Sequence, residues 1–174
     1  MTKKEFMKKI GRTKKDLLEG FVGILKDKKI SYCLVGGLAV NAYAEPVVSL
    51  DLDVVVIVDK LEGLLSSLAK GHKIERYANS VNISSRFSDL RIQIQTDPRY
   101  QDFIKRAVYK EVLGYKLPVA GIEDVLQGKI WAAEDGTRRL SKRQKDFADI
   151  ARLVETKKEL LSLVPPLLRE KIGL

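Results

Sequence analysis

The sequence predicts a mixed α+β domain, a β-sheet covered by helices with a helical C-terminal third. Three stretches predict it. Residues 52–58 (LDVVVIV) form a near-continuous apolar run of the kind found in a strand covered on both faces. Leu90, Ile92 and Ile94 alternate with Arg91, Gln93 and Gln95, the period of a half-buried strand. Beyond residue 121, apolar residues recur at helical spacing in two segments, roughly 122–134 and 141–156.

The remaining elements follow in order. Residues 3–28 read as helix in one or two pieces, with stripes at Phe6, Met7 and Ile10, then Leu17, Leu18, Phe21, Val22 and Leu25. Thr13 and Asp16 suit a capping box between them. ISYCLVG is a first strand, and LAVNAYA a short helix that Pro46 ends by disfavouring helix at Glu45. After the apolar run, KLEGLLSSLAK supplies a covering helix, and GHK a turn that places His72 at the surface. HKIERY, SVNISSRF and DLRIQIQT read as strands, the last stopped by Pro98. YQDFIKRA is a short helix, KLPVA a short extended piece, and the C-terminal tail breaks at Pro165–Pro166. With 174 residues and 45% hydrophobic content, one core is expected. The chain is read as a single domain: N-terminal helices over 1–29, a sheet core over 30–120 and helices over 121–174.

Composition narrows the function classes. No apolar run approaches the roughly 20 residues of a membrane span, and no signal-peptide pattern follows the basic start. The single cysteine, Cys33, lies in a strand-like segment and reads as a small buried hydrophobe. A reducing cytoplasm and no membrane partner are the expectation. The net charge of +9 comes largely from two clusters, Lys3 to Lys15 and Arg138 to Lys145, which makes nucleic acid a candidate partner.

Residues 35–56 (VGGLAVNAYAEPVVSLDLDVVV) carry the chemistry. Gly36 and Gly37 sit where a strand gives way to a helix, so backbone can approach a phosphate closely. Asp51 and Asp53 stand two apart at a strand's start and share one face. With Cα atoms about 6.5 Å apart, their carboxylates can converge on magnesium or manganese. Unpaired, such like charges would repel. Lys129 falls on the apolar face defined by Ile122, Val125, Leu126, Ile130 and Ala133. It either reaches a triphosphate or pairs with Asp146 or Asp149 on the next helix. The i, i+4 pairs Lys142–Asp146 and Lys145–Asp149 offer a purely helix-stabilising alternative. Trp131, off the main apolar face, is expected to pack against the C-terminal tail.

This stretch resembles the signature of the DNA polymerase beta-like nucleotidyltransferase superfamily. It is most similar to AbiEii-type nucleotidyltransferases, with Ser49 two residues before Asp51 and a C-terminal pattern of Lys129, Ala132 or Ala133, Arg138, Arg139 and KDFAD (residues 145–149). The resemblance covers roughly residues 30–155. It implies a nucleotidyltransferase-like mixed sheet and transfer of a nucleoside monophosphate from a nucleoside triphosphate to an acceptor hydroxyl. The acceptor could be protein, RNA or a small molecule. On that resemblance Asp51 and Asp53 hold the metal, Gly36 and Gly37 cradle the phosphates, and Ser49 orients a ligand or caps the turn. Three positions depart from it. Val47 stands in place of an arginine and Leu38 in place of a serine. The strand expected to bear a third acid carries Gln93 and Gln95, leaving Asp97 as the candidate third catalytic acid. Two further readings stay open beside catalysis. One is a nucleotide-binding or toxin–antitoxin-type module of the same fold, favoured if a glutamine occupies the third place. The other is an RNA-binding protein acting through its basic helices.

Overall fold

The computed structural model describes residues 17–174. The N-terminal stripe at Phe6–Ile10, the Thr13–Asp16 capping box and the first basic cluster lie outside the described residues. Leu17, Leu18, Phe21 and Leu25 bury one face of α1 (Leu17–Asp27). The chain then runs through β1 (Tyr32–Val35), α2 (Gly36–Val40), β2 (Asp51–Val56), α3 (Leu61–Leu68), β3 (Lys73–Arg76), β4 (Ser80–Ser85) and β5 (Ser88–Gln95). A 3₁₀ stretch over Pro98–Arg106 leads to β6 (Val108–Val112) and β7 (Tyr115–Val119). The last third holds α4 (Ile122–Glu134), α5 (Leu140–Thr156), 3₁₀ turns over Lys158–Leu163 and α6 (Pro166–Ile172). Pro166 opens α6 at a position where its missing N–H costs no hydrogen bond.

The seven strands form one sheet in the order β3-β4-β5-β2-β1-β7-β6. β2 lies at its centre, parallel to β5 and antiparallel to β1. That position explains the apolar run: Leu52, Val54, Val55 and Val56 are all buried. The strand ends at Val56, so Ile57 and Val58 are exposed. On β5, Leu90, Ile92 and Ile94 are buried, on the face where α1 packs against that strand and α3. Cys33 is fully buried in β1.

The sequence reading passed over β6. Here β6 and β7 form a hairpin pairing Val108 with Val119 and Val112 with Tyr115. Leu113 and Gly114 make its two-residue turn, both at positive φ. A leucine there is unusual, which is why the turn was not legible. The short helix over 100–107 is instead 3₁₀, with Asp97 accepting from the Arg99 N–H at its start. His72 is half-buried rather than at the surface, its Nδ1 3.0 Å from the Leu68 carbonyl oxygen. Trp131 packs with Tyr100 and Phe103, with the Arg99 guanidinium over its ring at 4.5 Å.

Candidate active site

Asp51 and Asp53 open β2 and point to the same side of the sheet. Both are half-buried. Val35, the last residue of β1, pairs with Asp53, and the chain turns at once into α2 through Gly36. Gly36 has φ +67°, and a Cβ placed there would lie 2.1 Å from Asp53 Oδ2. Only glycine meets both demands. A Cβ on Gly37 would lie 3.5 Å from Ser49 Oγ and 3.9 Å from Lys145 Nζ. The glycine turn, Ser49 and a lysine of α5 therefore meet within a few ångströms of the acid pair. The buried Ser49 hydroxyl lies 3.4 Å from the Asp51 carbonyl oxygen, so it also braces the turn.

The two carboxylates differ. Asp51 is met by Arg91 at 2.8 Å and by Lys142 at 3.6 Å, both from exposed side chains. Asp53 forms no ion pair or hydrogen bond among the described residues. Burial raises its pKa above the ordinary carboxylate range and Asp51 adds to this, while Lys129, Arg138 and Lys145 act against it. A half-buried carboxylate beside a second one, with no cation in contact, fits a hard divalent ion that takes its remaining ligands from phosphate and water.

Asp53 lies at the wall of a small cleft of about 80 Å³, lined also by Val35, Gly36, Gln93, Gln95, Tyr100, Asp124, Gly128, Lys129, Arg138 and Asp146. Gln93 is the parallel-strand partner of Asp53, and Gln95 that of Val55.

Asp97 is not brought to the acid pair. It is absent from the cleft lining, and Arg99 engages both its oxygens, Oδ1 at 3.2 Å and Oδ2 at 2.7 Å. Arg99 holds its carboxyl below the usual range, which makes it a poor proton acceptor. The 3₁₀ stretch that begins at Pro98 turns the chain before Asp97 can continue the strand's alternation. Among the described residues no third carboxylate, histidine or cysteine joins Asp51 and Asp53.

Lys129 resolves toward the acidic pair. Its buried ammonium lies 2.9 Å from Asp146 Oδ1 and 2.8 Å from Asp149 Oδ2. Burial alone would lower its pKa, but Asp149 and Asp146 outweigh burial and hold it above its ordinary value. Arg138 contacts the second oxygen of Asp146 and Arg152 that of Asp149, each at 2.8 Å. Arg152 also donates to Asn41 Oδ1 at 2.8 Å and to the Glu45 carbonyl. Asn41 in turn clasps the backbone of Val47 through both its amide atoms. The helix pair thus grips the loop that delivers Ser49 and Asp51. Composition alone did not reveal Arg138, Arg152 and Asn41 as parts of one network. The expected i, i+4 pairs do not form, because Asp146 and Asp149 face α4 while Lys142 turns toward Asp51.

Solved structures share this arrangement of elements. The antibiotic-resistance factor ANT(2'')-Ia superposes with TM-score 0.63 at 11% identity, covering 99% of this chain and 95% of that one. This is the nucleotidyltransferase fold. The lincosamide antibiotic adenylyltransferase LnuA, solved with lincomycin, matches with TM-score 0.56 at 14% identity, covering 82% of this chain and 99% of that one. An antigenic nucleotidyltransferase-like protein from Paracoccidioides brasiliensis matches with TM-score 0.56 at 18% identity, covering 88% and 86%. No family model matches the sequence, and no curated protein matches it. No described helix is long and apolar enough to cross a membrane.

Proposed function

We propose that this chain binds a nucleoside triphosphate with Mg²⁺ or Mn²⁺ and transfers its nucleoside monophosphate to an acceptor. One observation carries the reading: the Asp53 carboxylate, packed on the Cα of Gly36 and free of any described cation, stands beside Asp51 at the wall of a cleft lined by Gly36, Lys129 and Arg138. The nucleotidyltransferase fold supports it, and so do the sequence motifs resembling AbiEii-type proteins, which suggest a toxin or resistance role.

Each group has a defined task. Asp51 and Asp53 would hold the metal, which when bound supplies positive charge to the phosphates. Backbone N–H groups of Gly36 and Gly37, at the helix start, would meet phosphate oxygens. Lys145, beside Gly37, and Arg138, in the cleft wall, would add cationic contacts to the phosphate chain. Lys129 is spent on Asp146 and Asp149, so it acts on Asp53 through its field and not by contact with phosphate.

A second reading has its own observation. Gln93 occupies the place opposite Asp53, and a carboxamide cannot take a proton near neutral pH. Triphosphate binding without transfer would leave that position indifferent. The test is a melting curve with and without Mg²⁺ and each of four nucleoside triphosphates, paired with release of pyrophosphate. At 100 times its dissociation constant a ligand adds about 2.7 kcal/mol. A magnesium-dependent rise that Asp53→Asn abolishes, together with pyrophosphate release, is expected. The rise without release favours the binding module, and no rise with any triphosphate removes both readings.

A further inference from the structure

We propose that the acceptor at this site is a phosphomonoester, whose attacking oxygen arrives already ionised. The inference rests on the transferase reading and names its second substrate. A neutral hydroxyl attacks phosphorus only as its proton leaves, so a proton acceptor must lie within hydrogen-bond reach. On the site face, the row that starts at Asp53 continues through Gln93 on β5 to Asn82 on β4. Both are amides without a basic atom near neutral pH. Among the described residues, the other carboxylates lining the cleft are committed. Asp124 is held by Arg106 through two hydrogen bonds of 2.8 Å, and Asp146 by Lys129 and Arg138. The Tyr100 hydroxyl, which burial pushes up to about 12, stays protonated.

The rim offers positive charge instead. Arg91 and Lys142 reach Asp51 from exposed positions on β5 and α5. Were Asp51 to hold a divalent ion, its carboxylate would be engaged and both cations beside it would lack their partner. A guanidinium fork and an ammonium together match a phosphate carrying nearly two negative charges at pH 7. A carboxylate would neutralise only one of them. In the reaction, a phosphomonoester oxygen forms a bond to the α-phosphorus. The bond from that phosphorus to the bridging oxygen breaks, and pyrophosphate leaves with its electron pair. The product is a phosphoanhydride, and no proton is transferred.

The test gives the 174-residue chain Mg²⁺ and each α-labelled triphosphate, with ribose 5-phosphate, acetate or ribose as acceptor. Labelled anhydride from ribose 5-phosphate should form at least about 10-fold faster than labelled ribose ester. Gln93→Asp, which sets a carboxylate opposite Asp53, should raise transfer to ribose on the order of 100-fold. A reading without turnover uses an α,β-methylene triphosphate with Mg²⁺. Ribose 5-phosphate should then raise the melting temperature a second time where ribose does not, and Arg91→Ala and Lys142→Ala should each reduce that second rise. Equal transfer to ribose, or preference for acetate, overturns the assignment. A first rise without a second overturns the acceptor alone, whereas no first rise overturns the transferase reading on which it stands.

Discussion

Gly36 and Asp53 depend on each other. The backbone at Gly36 turns left-handed to start α2, and the missing side chain leaves the space that the carboxylate fills. Gly36→Ala must strain φ and displace Asp53 together. A loss of about 1–3 kcal/mol from the backbone alone is expected, read as a lower midpoint in urea, with the triphosphate-induced rise gone. A variant that melts like the parent would show that the turn can shift freely. Asp53 also predicts a pH effect in the absence of divalent ions. Because burial raises its pKa, the folded state binds the proton more tightly than the unfolded chain does. Stability from this group is therefore greatest in acid and falls as pH climbs from the ordinary carboxylate value through the raised one. Asp53→Asn should flatten that fall in EDTA and melt above the parent near neutral pH, by about 1 kcal/mol. Identical pH profiles for the two proteins would remove the argument.

At the scale of elements, α4 and α5 are joined through charge as well as apolar packing. Lys129 on α4 is enclosed with Asp146 and Asp149 of α5, and those acids carry the contact outward to Arg138, Arg152, Asn41 and the 41–50 loop. Removing the lysine leaves two carboxylates buried with fewer cations. Lys129→Met should cost about 3–5 kcal/mol, and adding Asp146→Asn should recover part of it. Thermal denaturation of the single and double variants measures the coupling, and simple additivity would mean that the residues do not act as a unit. Arginine partners remain for each acid, so the fold itself should survive in the double variant.

Across the whole molecule, parallel pairing determines which distant residues meet. β2 beside β5 puts Asp53 opposite Gln93, and β1 beside β7 brings α4 over the same face. The formal charge of +9 acts at this scale too. Mg²⁺-independent binding to single-stranded RNA is expected to be weak and to drop steeply between low and physiological salt. A fluorescence-anisotropy titration at several salt concentrations checks this. Tight, salt-insensitive binding would instead point to specific RNA recognition.

Most elements were legible because their patterns are local. The alternation in β5, the apolar run of β2 and the spacing of α4 and α5 each reflect which faces a strand or helix must bury. The glycine pair and the Asp-x-Asp spacing were legible for the same reason, since backbone reach and side-chain parity act over a few residues. Asp97 shows the limit of parity: extending the strand's alternation past Gln95 assumed a regular backbone, and the turn at Pro98 broke it. The β6 hairpin was hidden by a leucine at positive φ, a conformation that its pairing imposes. Local patterns in the chain were enough for the fold class, the Asp51–Asp53 spacing and the glycine turn beside it. Folding in three dimensions was needed to pair Lys129 with Asp146 and Asp149, to set Arg91 and Lys142 on Asp51, and to place Gln93 opposite Asp53. Those are contacts between segments far apart in the chain, chosen by strand register and helix packing, and no local pattern encodes them.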